Sequence, residues 1–313
     1  MSDTSPRPSA AALTVVWNLH VDVMTAEIVN AFRGSGVDVI LLKGPSIARS
    51  LYQAGRRSYS DSDLLVSPAG LDRAEAVLVR LGFTKLLHDR EVPDRIPLHA
   101  HVWVRGSQML DLHRSLWGAH VSAEDVWRVL AAETETAVIG GTPVKVLNPA
   151  AMALHIALHA AQHGIAADKP VRDLERAVTV LEHRVWRSAA DLARRVDAMA
   201  AFGTGVRLVP EGARLGEALE LPNEHSAEVM LNASSPPPGA LALERIASAG
   251  TIRAKSRLVA GRVFPSPPYM RVYSPLARHG AAGLVSAYAL RLASLPWKLG
   301  PGFLAWRRVR RRV

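Results

Sequence analysis

Two aspartates one residue apart, Asp61 and Asp63, stand at the head of an apolar run in the stretch 56–66, "RRSYSDSDLLV". Side chains two apart on a strand share a face, so both carboxylates would project together and repel. The pair is either a set of solvated turn residues preceding a strand or the holder of a cation. Magnesium is the usual partner of clustered carboxylates, because it takes their oxygens and bridges to substrate phosphates. A third carboxylate on a neighbouring strand would complete a two-metal site for in-line displacement at phosphorus, and Asp111 in "MLDLHRSLW" is the best-placed candidate.

A second group lies upstream in "LLKGPSIA", residues 41–48. An apolar strand runs into a Lys-Gly turn and then a helix start with Pro45 in its first turn, where a missing N–H costs nothing. Exposed backbone N–H groups at such a start favour an anion. Gly44 would allow close backbone approach, Ser46 could donate a hydroxyl, and Lys43 could add charge. Taken alone, this is also a common way to begin a helix.

The elements that must position these groups follow from periodicity. Residues 11–32 read as a helix stopped by "GSG", 39–42 as a buried strand, and "DSDLLV" as the next strand. Residues 68–81 have helical apolar spacing closed by Gly82. Strands follow at 84–87, 100–104 and 109–113, the last two joined by the turn "RGSQ". A helix over 122–132 opens with Ser122 as its cap, and "TAVIGGTPVKVL" reads as a hairpin with Gly-Gly at its tip. Beyond residue 148 the signals are helical, over 149–163, 171–183, 188–201, 240–262 and 281–295. The domains expected are a disordered Ser/Pro-rich stretch 1–10, an α+β domain 11–148, a helical domain 149–250 and a basic helical tail 251–313.

Composition narrows the chemistry. The chain has 313 residues, 49% of them hydrophobic, and no cysteine, which removes disulfides, zinc–thiolate sites and thiol catalysis. No basic start followed by an apolar segment is seen at the N-terminus, no apolar stretch approaches spanning length, and a cytoplasmic location is expected. The net charge of +10 is concentrated at one end. Residues 251–313 carry thirteen Lys and Arg and no Asp or Glu, so the remainder sums to −3. Sequence-specific DNA binding is not expected. The tail mixes Leu, Tyr, Phe and Trp with Arg and Lys, which suits an anionic membrane surface, electrostatic contact with nucleic acid, an acidic partner, or a solvated helical cap.

The ordered set "LLKGPSIARSLY", "GRRSYSDSDLLV", "LGF", "VWVRGSQMLDLHRSLW" and "VKVLNPAAMALHIALHAAQHG" resembles the uncharacterised bacterial nucleotidyltransferase family of the polymerase-β-like superfamily, over residues 37–180, with weaker similarity in "VFPSPPYMRVY" and the tail. The resemblance implies an α+β fold: a polymerase-β-like nucleotidyltransferase sheet with flanking helices, followed by a helical C-terminal domain. It implies magnesium-dependent transfer of a nucleoside monophosphate from an NTP, ATP first among them, to a hydroxyl of a small molecule, peptide or protein, with pyrophosphate leaving. Carried over by residue, Asp61 and Asp63 bind the metal and Asp111 is the third ligand and a base for the acceptor hydroxyl. Lys43, Gly44 and Ser46 stand where the superfamily's Gly-Ser loop holds the triphosphate, although Lys-Gly-Pro-Ser departs from that loop. Arg57 matches an arginine of the family motif and is a phosphate-contact candidate, with a surface position as the alternative. The runner-up to an enzyme is a catalytically silent partner-binding protein, or a membrane-peripheral accessory protein, on the same fold.

Other residues carry weaker signals. His155, His159 and His163 share a helix face, but "HIALH" lacks the glutamate of a zinc-protease helix, so an interdomain lining is the expectation. His113 would share a strand face with Asp111, and His101 would sit on the partner strand; both read as half-buried histidines. Asp173 reads as a helix-surface charge, with an interdomain role as the alternative.

Overall fold

In the computed structural model, residues 9–93, 98–223 and 226–312 are described. The first segment is α1 (Ala10–Gly34), whose N-terminus is capped by the Ser9 hydroxyl accepting the Ala12 N–H at 3.2 Å. The disorder expected of residues 1–10 falls, for 1–8, outside the described residues. Then come β1 (Val39–Leu41), α2 (Pro45–Leu51), β2 (Asp61–Val66), α3 (Leu71–Arg80) and β3 (Thr84–Lys85). The hairpin β4 (Ala100–Arg105) and β5 (Gln108–His113), then α4 (Ala123–Ala131) and the hairpin β6 (Thr134–Ile139) and β7 (Thr142–Leu147), complete this part.

The strands form one mixed sheet in the order β3-β4-β5-β2-β1-β7-β6. β2 pairs antiparallel with β1 and parallel with β5, and β1 pairs parallel with β7. Strand alternation sorts the side chains onto two faces. Val39, Leu41, Leu64, Val66, Leu110 and Leu112 join a core under α1 and α3, together with Met24, Ile28 and Phe32. Ile40, Leu42, Leu65 and Leu147 face the other way, into a core built with the helices that follow. By the same alternation Asp61, Asp63, Asp111 and His113 belong to that second face.

Those helices are α5 (Pro149–His163), α6 (Asp168–Val180), α7 (His183–Arg195), α8 (Met199–Val206), α9 (Pro210–Ala218), α10 (Ala227–Ala233), α11 (Ala240–Ser248), α12 (Ile252–Val263), α13 (Pro267–Tyr273) and α14 (Gly280–Arg310). α5 is the hub. Asn148 caps it, and α6, α7, α8 and α10 all pack on it. Its contact with α8 is a backbone approach: a Cβ on Gly205 would fall 2.0 Å from the Ala157 carbonyl oxygen.

Three helical expectations need correction. The helix expected over 188–201 is two, because Asp197 turns the chain with φ of 50° between α7 and α8. Val196 and Ala198 on either side are buried, so the apolar spacing runs unbroken through the turn and conceals it. The helix expected over 240–262 is broken before Thr251, whose hydroxyl caps α12 by accepting the Ala254 N–H. The helix expected to stop at residue 295 continues through Pro296 and Pro301 to Arg310, held by packing on α10 and α11. Its end is fastened where Glu244 of α11 accepts from Trp306 Nε1 at 2.8 Å and pairs with Arg310 at 3.0 Å.

Among the described residues one helix, α1, is long and apolar enough by composition to cross a bilayer, against the expectation of none. Its inner face, including Val21, Met24, Ile28 and Phe32, is buried on the sheet.

Candidate active site

Register brings the acids together. In the parallel pair β2–β5, Asp63 lies opposite Asp111 and Asp61 opposite Met109. Asp63 is fully buried. Asp61 and Asp111 are half-buried at the rim of the same face. Ligand atoms of Asp63, Asp111 and His113 all lie within 4.8 Å of one another. Asp61 does not belong to that tightest group, although its charge acts on both Asp111 and Lys43.

Lys43 reaches into the cluster from the β1–α2 turn. Its Nζ lies 2.9 Å from Asp63 Oδ1 and 3.3 Å from His159 Nε2 on α5. His113 Nε2 approaches the same Asp63 oxygen at 3.3 Å. Burial pushes the Asp63 carboxyl up, but the Lys43 ammonium and His113 outweigh it and hold the group well below the usual carboxylate range. Lys43 is drawn down by burial and, more strongly in sum, up by Asp63 and Asp61. On Asp111 burial and then the Asp63 charge outweigh the pull of His113 and Lys43 and push the carboxyl up to about 6. Three carboxylates against one ammonium leave two negative charges uncompensated. Asp63 Oδ2 has no hydrogen-bond partner among the described residues. An orphaned buried carboxylate oxygen, with a second carboxyl opposite it on the parallel strand, suits a divalent cation.

The Lys-Gly turn sits directly over β2. Gly44 has φ of 69°, and a Cβ there would meet the Asp61 carbonyl at 3.4 Å, so the turn requires glycine. The Ser46 hydroxyl is buried without a partner among the described residues. Arg57 does not lie on the surface. Its Nη1 donates to the Gly44 carbonyl at 3.0 Å, while Nε and Nη2 donate to the two Asp173 oxygens at 2.7 and 2.6 Å. Tyr52 Oη also donates to Asp173, at 2.9 Å. The guanidinium therefore ties the turn to α6, and the surface position weighed for Arg57 is excluded. Asp173, expected as a surface charge, is a buried counter-ion, because α6 lays that face against α2.

The histidine ladder of α5 meets the acids. His155 is buried, with both ring nitrogens unpartnered among the described residues. Burial and the Lys43 charge push it down to about 3, and the same two causes hold His159 well below its ordinary value. The His159 and His163 rings are 4.5 Å apart, carrying the ladder to the rim. His99, which no sequence motif singled out, stands 5.7 Å from His113 by ring centroids. Burial and then His113 push it down to about 3. His101 turns away to Asp89, at 3.0 Å.

A mixed α+β sheet with an acid pair on one strand and a third acid on its parallel neighbour, covered by a helical layer, is an arrangement whose clustered carboxylates suit a divalent cation and displacement at phosphorus. A family described as uncharacterised nucleotidyltransferase matches residues 9–211, about two thirds of the 313 residues, and the chain belongs to that family. The resemblance seen in the sequence motifs is borne out by this match. No curated protein matches the chain. Among solved structures, the antibiotic-resistance factor ANT(2'')-Ia in solution is 18% identical, over 58% of this chain and 96% of its own, with a TM-score of 0.43. A crystal structure of ANT(2")-Ia with adenylyl-2"-tobramycin is 18% identical over 56% and 97%, with a TM-score of 0.42. An antigenic nucleotidyltransferase-like protein from Paracoccidioides brasiliensis is 13% identical over 69% and 98%, with a TM-score of 0.33.

Proposed function

We propose that the chain transfers a nucleoside monophosphate from an NTP, ATP in the first instance, to a hydroxyl of an acceptor. The observation that carries this reading is the direct opposition of Asp63 and Asp111 on parallel strands, with Asp63 Oδ2 buried and without a partner among the described residues. Asp61, Asp63 and Asp111 would hold the cation, which carboxylates alone predict to be Mg2+ and which supplies charge neutralisation at the phosphates. The acceptor oxygen attacks the α-phosphorus, the bond from that phosphorus to the pyrophosphate oxygen breaks, and pyrophosphate leaves. Asp111, at the rim of the same face and opposite Asp63, takes the hydroxyl proton. Gly44 and the unpartnered Ser46 hydroxyl offer donors to the triphosphate. Arg57 fixes the Gly44 carbonyl and thereby the direction in which the turn presents its N–H groups.

Calorimetry of ATP binding with and without Mg2+, for the wild type, Asp61→Ala and Asp111→Asn, tests the reading. Metal-dependent binding that both substitutions weaken by about tenfold or more supports it. ATP binding indifferent to metal and to both substitutions sinks it. Tight partner binding with no pyrophosphate release from any NTP would point to a docking protein on the same fold.

A second reading concerns α14. Leu290, Trp297 and Leu304 recur every seven residues on its exposed side, with Trp297 84% exposed, and the stripe runs into Arg311. Aromatic and aliphatic side chains beside arginine suit an anionic membrane surface. Co-sedimentation with phosphatidylserine vesicles, lost in a Trp297→Gln/Leu304→Gln variant, is the expected result; sedimentation equal to that with neutral vesicles rejects it.

A further inference from the structure

Among the described residues the tightest ligand group is not the aspartate triad. It is Asp63, Asp111 and His113, whose donor atoms lie within 4.8 Å of one another. His113 is two residues beyond Asp111 on β5, so it shares the face of both acids, and it is buried. Its Nε2 lies 3.3 Å from Asp63 Oδ1, while Nδ1 has no partner among the described residues. A charge-assisted N–H···O bond is shorter, about 2.7–2.9 Å, as Lys43 shows with the same oxygen at 2.9 Å. Two donors each about 2.2 Å from one ion, and at right angles about it, lie about 3.1 Å apart. The separation of His113 and Asp63 thus has the length of a shared coordination edge.

We propose that His113 is a ligand of the cation alongside Asp63 and Asp111, so that the site takes a borderline transition ion such as Mn2+ in preference to Mg2+. The proposal rests on the nucleotidyl-transfer reading and fixes the ion that reading left to carboxylate chemistry alone. Mg2+ is a hard ion that takes oxygen donors, whereas an imidazole in the set raises affinity along the first-row series. Asp61, outside the tight group and half-exposed, then stands free to meet a second ion or the phosphate-bound one at the rim. Lys43 serves as the internal counter-ion of Asp63, and His159, 3.3 Å from its Nζ, offers it a second acceptor.

The test uses the full chain stripped of metal. Mn2+ is titrated by calorimetry against Mg2+, and the Mn2+-loaded protein is read by pulsed electron paramagnetic resonance for nitrogen-14 coupling, in wild type, His113→Gln and His101→Gln. Expected are Mn2+ affinity at least about tenfold above that for Mg2+, imidazole coupling in the wild type and in His101→Gln, and loss of coupling in His113→Gln with about a tenfold fall in Mn2+ affinity alone. Bound Mn2+ with no nitrogen coupling in the wild type overturns the proposal and leaves nucleotidyl transfer standing on an all-oxygen site. The wild-type spectrum decides this even if His113→Gln fails to fold. Failure to bind either ion, with or without ATP, overturns both.

Discussion

Replacing Asp173 by alanine removes two of the three acceptors of the Arg57 guanidinium, leaving the Gly44 carbonyl, and one acceptor of Tyr52. The side chains of Arg57 and Asp173 are 5% and 4% exposed, so water cannot take the place of the carboxylate. Three short bonds, at 2.7, 2.6 and 2.9 Å, disappear together. Breaking a buried pair by removing one partner costs about 3–5 kcal/mol, because the remaining charge is stranded. Here the stranded charge also loses the anchor that holds it under the Gly44 carbonyl, so the Lys43–Ser46 turn should loosen with it. A double variant, Arg57→Met with Asp173→Ala, removes the charge altogether and should recover much of the loss, since an apolar replacement of a buried pair is often neutral.

Urea unfolding of the wild type, Asp173→Ala, Arg57→Met and the double variant closes a thermodynamic cycle. The expected coupling is at least about 2 kcal/mol, with Asp173→Ala the least stable of the four. ATP affinity, measured under conditions where each variant is folded, should fall in both single variants and remain low in the double one, because the hydrogen bond to Gly44 is absent there too. An Asp173→Ala protein within about 0.5 kcal/mol of wild type, the ordinary range of surface substitutions, would refute the account of this pair as a buried tie between turn and helix.

Lys43→Met leaves the buried Asp63 without its ammonium, a loss of about 3 kcal/mol in metal-free buffer, and Mn2+ should then raise the melting temperature more than it does in wild type; an equal rise rejects the counter-ion role. His155 is held at about 3 from an unfolded value near 6.5, so between those values the unfolded chain binds the extra proton and stability falls as pH falls from 6.5 toward 3. Thermal melts from pH 7.5 to 5 should show that fall, at up to about 1.4 kcal/mol per pH unit for this residue, and His155→Leu should flatten it. Gly205→Val would drive a side chain into the Ala157 carbonyl and push α8 from α5, costing about 2 kcal/mol or more in urea unfolding; a neutral result would mean the two helices slide apart freely.

Much of the site was legible because a strand has a short period. Once "DSDLLV" and "MLDLH" are read as strands, alternation alone assigns Asp61, Asp63, Asp111 and His113 to one face and Leu64, Leu110 and Leu112 to the other, as found. Register was not legible. Nothing in either strand says that Asp63 meets Asp111 and not Met109, because the connection between β2 and β5 is long and both strands are apolar enough to slip. The family's order of motifs, and not local spacing, made Asp111 the third acid.

The polar groups whose surroundings the sequence does not show share a physical cause. Arg57, Asp173 and the α5 histidines are polar groups whose burial depends on how α5 and α6 lie across the sheet, and a helix period carries no trace of the neighbour it will meet. The repeat of histidine at every fourth residue was the available signal, and it fixed a shared face but not what that face opposes. In the folded chain it opposes Lys43. An ammonium between a fully buried carboxylate and a neutral imidazole is held by the first and only loosely constrained by the second. Its stability there requires Asp63 to remain ionised, and Asp63 remains ionised because the ammonium is there. A divalent ion bound to Asp63 dissolves that mutual dependence, which is why the Lys43 substitution and the metal titration report on one another, and why neither should be interpreted without the other.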